Sequence, residues 1–293
     1  MSWQSIDGKY ENIKKYKDNL SDHNLTDEFS ALCDDCLQYL SSCQKVALTF
    51  DDPSKKFFAW SPSASSKKLS RAINEFLLPD IPTAQKAKNK FIAALKSGDY
   101  SQITAAEITQ GCYVISIAFC AVVDLEKERD QKTPGTFFEY FIGHCYARKL
   151  ATSPCKSIDV LNLDEKTDLP TDFIFDLGKG KPKFHLPVKT STRERVIQVW
   201  AHQRVLDGVY GIGRFWGTLV ALAETKVDKQ KKSVVEICLP DQWKLYQLFI
   251  AQMKRIYYLD IPQKYNDLNK NFPKITVKEF GEFFTEIDNL DNF

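Results

Sequence analysis

Surplus charge is almost absent from this chain: 40 Lys and Arg stand against 38 Asp and Glu, for a net charge of +2. Bulk electrostatics therefore announces no polyanionic partner, and any such partner has to be met by a local concentration of positive charge. No apolar run reaches the length of a bilayer crossing; the longest, Tyr113 to Leu125, is interrupted by Ser116 and Asp124. The N-terminal stretch Met-Ser-Trp-Gln-Ser-Ile-Asp has no basic region followed by an apolar one, so a secretory leader is not expected and a cytoplasmic location is. Eight cysteines are scattered without the spacing of a disulfide framework. Cys33 and Cys36 form a Cys-x-x-Cys, but no second pair or Cys/His partner follows at zinc-site spacing. With Cys43 they share one helical stripe with Leu32, Leu37 and Leu40, which reads as core. Internal repeats and low-complexity segments are also missing.

What is present is the composition of a globular protein: 293 residues, 43% hydrophobic and 27% charged. Residues 1–130 read as mainly helical. Helices are expected near Thr26–Ser42, Ala64–Leu77, Thr83–Lys96 and Thr104–Lys127, with a strand at Lys45–Asp51 and a breaker at Pro79-Asp80-Ile81-Pro82. Residues 131–293 read differently. After Thr133-Pro134-Gly135-Thr136 comes a helix of about Phe137–Leu150, then a polar connection to Leu169. Two short apolar strands follow, one at Asp172–Asp176 and one at Phe184–Thr190, joined by the turn Leu177–Lys183. A helix at about Thr192–Leu206, a strand within Phe215–Lys226, a strand at Ser233–Leu239 and a helix at about Asp241–Leu259 complete the pattern. This order predicts an α/β fold: a mixed central β-sheet flanked by helices, with a mainly helical N-terminal region and a C-terminal helical extension.

The hairpin carries the chemistry. Asp172 opens its first strand and Lys189 closes its second, so antiparallel pairing brings the two side chains together. A carboxylate offers hard oxygen ligands to a divalent cation, and a lysine beside it can orient water or stabilise charge on a phosphate. Asp176 has the same face parity but lies nearer the turn, away from Lys189, so Asp172 is preferred.

Pro170-Thr171-Asp172 followed by Pro187-Val188-Lys189, within the order helix–strand–strand–helix–strand, resembles the PD-(D/E)XK nuclease signature. Val188–Arg195 leading into Trp200-Ala201-His202-Gln203 resembles type II restriction endonucleases in particular. The resemblance covers about residues 136–226. It implies a restriction-endonuclease-like core, Mg2+ as cofactor and hydrolysis of specific double-stranded DNA by a homodimer, leaving a 5′-phosphate. The chain departs from the pattern at Pro187, where an acid is expected two residues before the lysine. That departure motivates a second reading, a non-catalytic DNA-binding or assembly protein on the same fold; a repair-type DNA nuclease is a third.

Glu139 is the preferred replacement metal ligand beside Asp172, although Thr136-x-x-Glu139 also fits a helix capping box. Glu194 is second, and Ser191-x-x-Glu194 is again a capping box. Gln203 lies in the apolar stripe Val196, Val199, Trp200, Leu206; it either positions water or a ligand, or makes a buried structural hydrogen bond. Arg193 and Arg195 oppose the helix dipole in a first turn, which points to phosphate contact or to a plain solvated face. Lys181 and Lys183, with Lys179, cluster on the hairpin turn as candidate DNA contacts. His202 is placed on a different helix face, for phosphate contact or simple exposure. Glu224-Thr225-Lys226 is an internal rival, an E-x-K triplet after an apolar strand. Gly211-Ile212-Gly213 lacks the context of a dinucleotide site. The basic runs Lys67–Arg71, Lys86–Lys96 and Lys226–Lys232 suit a DNA groove or solvated faces. Residues 1–130 are expected to supply dimer contacts, recognition, or both.

Overall fold

A computed structural model describes residues 1–160, 167–290 and 293, without the side chains of Glu194 and Arg195. In chain order the first elements are α1 (Trp3–Lys15), α2 (Asn24–Ser41), β1 (Gln44–Leu48), β2 (Phe57–Ser61), β3 (Ile73–Asn74), α3 (Ile81–Ser97), α4 (Ala105–Glu126) and α5 (Lys132–Leu150). Then come β4 (Cys155–Val160), β5 (Thr167–Asp176), β6 (Lys183–Leu186), β7 (Val188–Lys189), a 3-10 turn at Arg193–Val196, α6 (Ile197–Tyr210) and β8 (Phe215–Ala221). The rest are β9 (Thr225–Asp228), β10 (Ser233–Glu236), α7 (Pro240–Phe249), β11 (Met253–Tyr258), α8 (Gln263–Asn271), β12 (Val277–Glu279), a 3-10 turn at Phe280–Glu282 and α9 (Phe283–Glu286). The chain forms two compact units: Met1–Phe141 with Thr225–Ile237, and Ile142–Glu224 with Cys238–Phe293. The expected change of character near residue 130 thus meets a boundary at Phe141, and a short later segment joins the N-terminal unit.

In the first unit, α3 starts where Asp80 accepts the Thr83 N–H at 2.7 Å, with Pro82 in the first turn, and stops at Gly98 with φ +73°. The predicted breaker is therefore a start signal. Helix α4 opens on a true capping box, Thr104 with Glu107. Against the sequence expectation, α4 is long and apolar enough to cross a bilayer; 89% of its apolar window is buried, as in a core helix. Gly111 lets it approach α3, because a Cβ there would meet the Phe91 Cβ at 2.4 Å. The helix expected over Ala64–Leu77 is not formed. Pro62 and the serines after it favour turns, and the Ser70 hydroxyl accepts the Trp60 N–H at 2.9 Å beside the short strand β3. Three strands pair antiparallel in the order β1-β2-β3. The β9–β10 hairpin packs its Val227 and Val234 against Val46, Leu48, Phe57 and Ala59 of that sheet.

The second unit is built on a mixed sheet in the order β12-β11-β8-β6-β5-β4, with β7 continuing beside β8. Segment β4–β5–β6 is antiparallel, while β6, β7, β11 and β12 join parallel to their neighbours. The connection read as polar coil contains β4, and the helix expected over Asp241–Leu259 ends at Phe249, giving way to β11. Its apolar residues Ile256, Tyr257 and Tyr258 fill a central strand buried on both faces. One sheet face carries Phe173 and Phe175 and meets Tyr146, which stacks on Phe283 of α9. The other is covered by α6 and α7, through Val199, Trp200, Leu219, Trp243, Ile256 and Tyr258. The α6 stripe predicted from spacing is the one buried: Val196, Val199, Trp200, Gln203 and Leu206.

Candidate active site

Strand register decides what can meet at the hairpin. Pairs Phe173↔Leu186, Ile174↔His185, Phe175↔Phe184 and Asp176↔Lys183 set Asp172 opposite Pro187. Proline has no N–H for the ladder, and here the antiparallel pairing with β5 stops, while the parallel pairing with β8 that β6 already makes continues through Val188 and Lys189 to Val220 and Ala221. The Val188 N–H, released from antiparallel pairing, donates to Asp172 Oδ2 at 2.8 Å. Lys189 Nζ donates to the same oxygen at 2.6 Å. These side chains are 22% and 30% exposed, so the pair is reachable from solvent. Among the described residues no hydrogen bond or ion pair falls on Asp172 Oδ1, which leaves a hard oxygen free for a cation.

On the same face, His185 of β6 is fully buried and its Nδ1 lies 3.1 Å from Gln203 Oε1. Gln203 uses both amide hydrogens, on Asp207 Oδ1 and on the Phe215 carbonyl, each at 3.0 Å. Its Oε1 must therefore accept, so Nδ1 carries the proton and Nε2 the lone pair. Burial drives the His185 pKa down to about 4, keeping the imidazole neutral near pH 7. Gly217 permits this layer: a Cβ there would sit 2.7 Å from Gln203 Oε1 and 2.6 Å from the Met253 sulfur. Gln203 thus makes the buried hydrogen bonds that were one of its two readings. His202, expected on a separate face, instead lies half-buried with its ring 6.4 Å from that of His185. Burial lowers its pKa, and the charges of Asp172 and Lys189 are both close enough to act on it.

Other candidates fall elsewhere. Asp176 and Lys183 form their own ion pair at 2.8 Å beside the turn, roughly 13 Å along the strand from Asp172. Lys181 lines an open cavity of about 470 Å3 there with Lys179, Lys183 and Arg214. Arg193 is exposed, with φ +42°, and its Nε donates to the Ser191 hydroxyl at 3.2 Å. The side chains of Glu194 and Arg195 lie outside the described residues. Glu139 is half-buried on α5 in the first unit, where burial and then its charge raise the Tyr140 pKa. The capping box proposed for it does not exist. Helix α5 begins at Lys132, Asp130 Oδ1 accepts the N–H groups of Lys132 and Thr133, and Pro134 sits harmlessly in the first turn. The rival triplet is split: Glu224 closes a segment of the second unit, and Lys226 belongs to β9 of the first.

Glu224 itself was missed as a partner. It is 1% exposed, and its Oε1 accepts the Thr192 N–H at 2.8 Å, the Thr192 hydroxyl at 2.6 Å and the Tyr258 hydroxyl at 2.9 Å. His185 was missed too, although its position four residues before Lys189 gives it the same strand parity. Among the described residues no three His, Cys, Asp or Glu side chains come together as an ion-holding group.

No family model matches the chain, and no curated protein does. Two solved structures are similar. One is the crystal structure of the type IIP restriction endonuclease Kpn2I, at 22% identity and a TM-score of 0.79, with 97% of each chain covered. The other is a PspGI restriction endonuclease–substrate DNA complex, at 15% identity and a TM-score of 0.42, covering 71% of this chain and 93% of that one. Mixed sheet, flanking helices and helical N-terminal region together give this chain a restriction-endonuclease-like fold.

Proposed function

We propose that the chain is a site-specific endonuclease that hydrolyses phosphodiester bonds in double-stranded DNA with Mg2+. One observation carries this reading: a solvent-reachable Asp172–Lys189 pair, 2.6 Å apart, at the hairpin end of such a fold. Mg2+ is commonly held by one or two carboxylates, with waters and substrate phosphates filling the other positions. Asp172 fits that role through Oδ1, and the Val188 carbonyl leaves the strand on the same edge as the N–H that points at Asp172. A bound Mg2+ supplies an acidified water and neutralises charge developing on the phosphate.

The chain's own groups do the rest. Asp172 fixes the Lys189 ammonium; one N–H goes to the carboxylate and two remain to hold water or a phosphate oxygen. Neutral His185, held by Gln203, adds no competing positive charge beneath the pair. Arg193, with Lys181 and Lys183 farther along, offers cations to the DNA backbone. A homodimer is proposed because a two-fold axis matches a palindromic site.

The test is plasmid cleavage by purified protein with Mg2+ and with chelator, alongside Asp172→Ala, Lys189→Ala and Glu139→Gln. Cleavage with Mg2+ alone, lost in the first two variants while duplex binding persists, supports the reading. Normal cutting by both variants sinks the site, and duplex binding without cutting under any divalent metal favours the non-catalytic reading that Pro187 motivates. Glu139→Gln tests whether a charge at that position is required.

A further inference from the structure

The segment that follows Lys189 is held in an unusual way. The Lys189 carbonyl accepts the Leu222 N–H at 3.0 Å and the Thr190 carbonyl accepts that of Ala223 at 3.3 Å, so strand pairing reaches just past the lysine. Three residues past Thr190, Arg193 takes φ +42°, the left-handed region that non-glycine residues rarely adopt. Such a conformation persists only when its surroundings over-determine it. The surroundings here are Glu224. After pairing ends, its carboxylate catches both the backbone N–H and the hydroxyl of Thr192. The Arg193 backbone N–H is near enough to the same carboxylate to favour its charged form. Tyr258, from the neighbouring parallel strand β11, braces the carboxylate from the other side.

This arrangement is costly for plain architecture. A carboxylate 1% exposed loses its hydration, and among the described residues its buried Oε2 has no hydrogen-bond partner. An apolar residue of similar volume would pack the same place without that penalty. What it would not do is hold the turn between Lys189 and Arg193.

We infer that Glu224 is a positioning residue for the endonuclease: with Tyr258 it latches the Thr190–Arg193 turn, fixing where Lys189 presents its ammonium and where Arg193 presents its guanidinium. This inference rests on the endonuclease reading. Glu224 does not touch the reacting atoms; it acts through the backbone on both sides of Thr192.

The experiment compares Glu224→Ala and Glu224→Gln with the wild type in two measurements. The first is steady-state cleavage, separated into kcat and KM. A displaced lysine lowers kcat, by about 30-fold in Glu224→Ala, since misplacement by an ångström costs up to about 100-fold. KM stays within about threefold, because duplex binding relies on many backbone contacts. Glu224→Gln keeps an acceptor for Thr192 and Tyr258 and restores most of kcat. The second measurement is amide hydrogen exchange. Protection in the Lys189–Arg193 segment falls in Glu224→Ala, while the β5 segment Phe173–Asp176 is unchanged. Wild-type kcat in Glu224→Ala, or loss of protection throughout the sheet, overturns the latch. If the wild type never cuts DNA, the endonuclease reading fails, and exchange decides the latch by the same criterion: confined loss supports it, unchanged or sheet-wide loss refutes it.

Discussion

Two carboxylates of the same unit meet opposite fates. Asp172 and Glu224 each accept a backbone N–H from the chain around Lys189, and each accepts a side-chain donor as well. Asp172 is open to solvent and pairs with an ammonium, leaving one oxygen unclaimed. Glu224 is sealed among a threonine, a tyrosine and the backbone. The difference comes from where each strand stops pairing. Beside Asp172 the pairing of β5 with β6 ends at Leu186 and frees an edge; Glu224 follows the end of β8, where Thr192 and Tyr258 of β11 enclose it. An acid becomes chemically available through the ladder around it, and sequence type alone does not distinguish the two.

The largest test of that contrast is Asp172→Ala, expected to reduce cleavage by more than about 1000-fold, the scale of losing a preorganised electrostatic group. Duplex binding should hold in a gel-shift titration, and a variant that cuts at the wild-type rate would erase the distinction. Acid titration probes the layer beneath. His185 has a folded-state pKa of about 4 against an ordinary 6.5, so the unfolded chain takes up the proton first as pH falls. The stabilisation is complete above the higher value and lost progressively down to the lower one, on the order of 3 kcal/mol in all. Thermal unfolding across that window should show a falling Tm, with a shallower slope in His185→Gln; identical slopes would dismiss the role of the buried imidazole. Gly217→Ala forces a methyl against Gln203 and the Met253 sulfur and should cost about 2 kcal/mol by chemical denaturation. The smallest effect belongs to Asp176→Asn. That acid shares the Asp172 face but is paired on the exposed turn, so stability should move by about 0.5 kcal/mol or less and cleavage not at all. A large loss of cleavage there would move the site toward the turn.

Much of this was legible from residues alone where the interactions are local. The short apolar run between Pro170 and Gly178 marked a strand of the hairpin, and distance from the turn ranked Asp172 above Asp176. Apolar spacing found α2, α3, α4 and the buried stripe of α6. Failures came where distant partners override local pattern. Ile6, Tyr10 and Ile13 have helical spacing, yet α1 went unread among its polar neighbours. Residues 64–77 were read as helix, but Arg71 there is fixed by a bidentate pair with Asp124, far along the chain. Thr136-x-x-Glu139 had the spacing of a capping box but lies inside a helix already under way, while the Glu194 side chain of the other lies outside the described residues. Glu224 reaches Thr192 and Tyr258 across separations of 32 and 34 residues, which no window of sequence displays. Gln203 was legible as an anomaly, a polar residue in an apolar stripe; its partners were not.

Thr225–Ile237 belongs to the unit formed by residues 1–141, so that unit is synthesised in two instalments, with all of Ile142–Glu224 delivered in between. Until Val227 and Val234 emerge from the ribosome, the apolar side of the β1–β2 sheet is covered in part, by Leu69 and Ala72. A partly covered sheet invites association with other chains. A fragment ending at Phe141 should therefore aggregate on expression, and adding residues 225–237 in trans should improve its solubility.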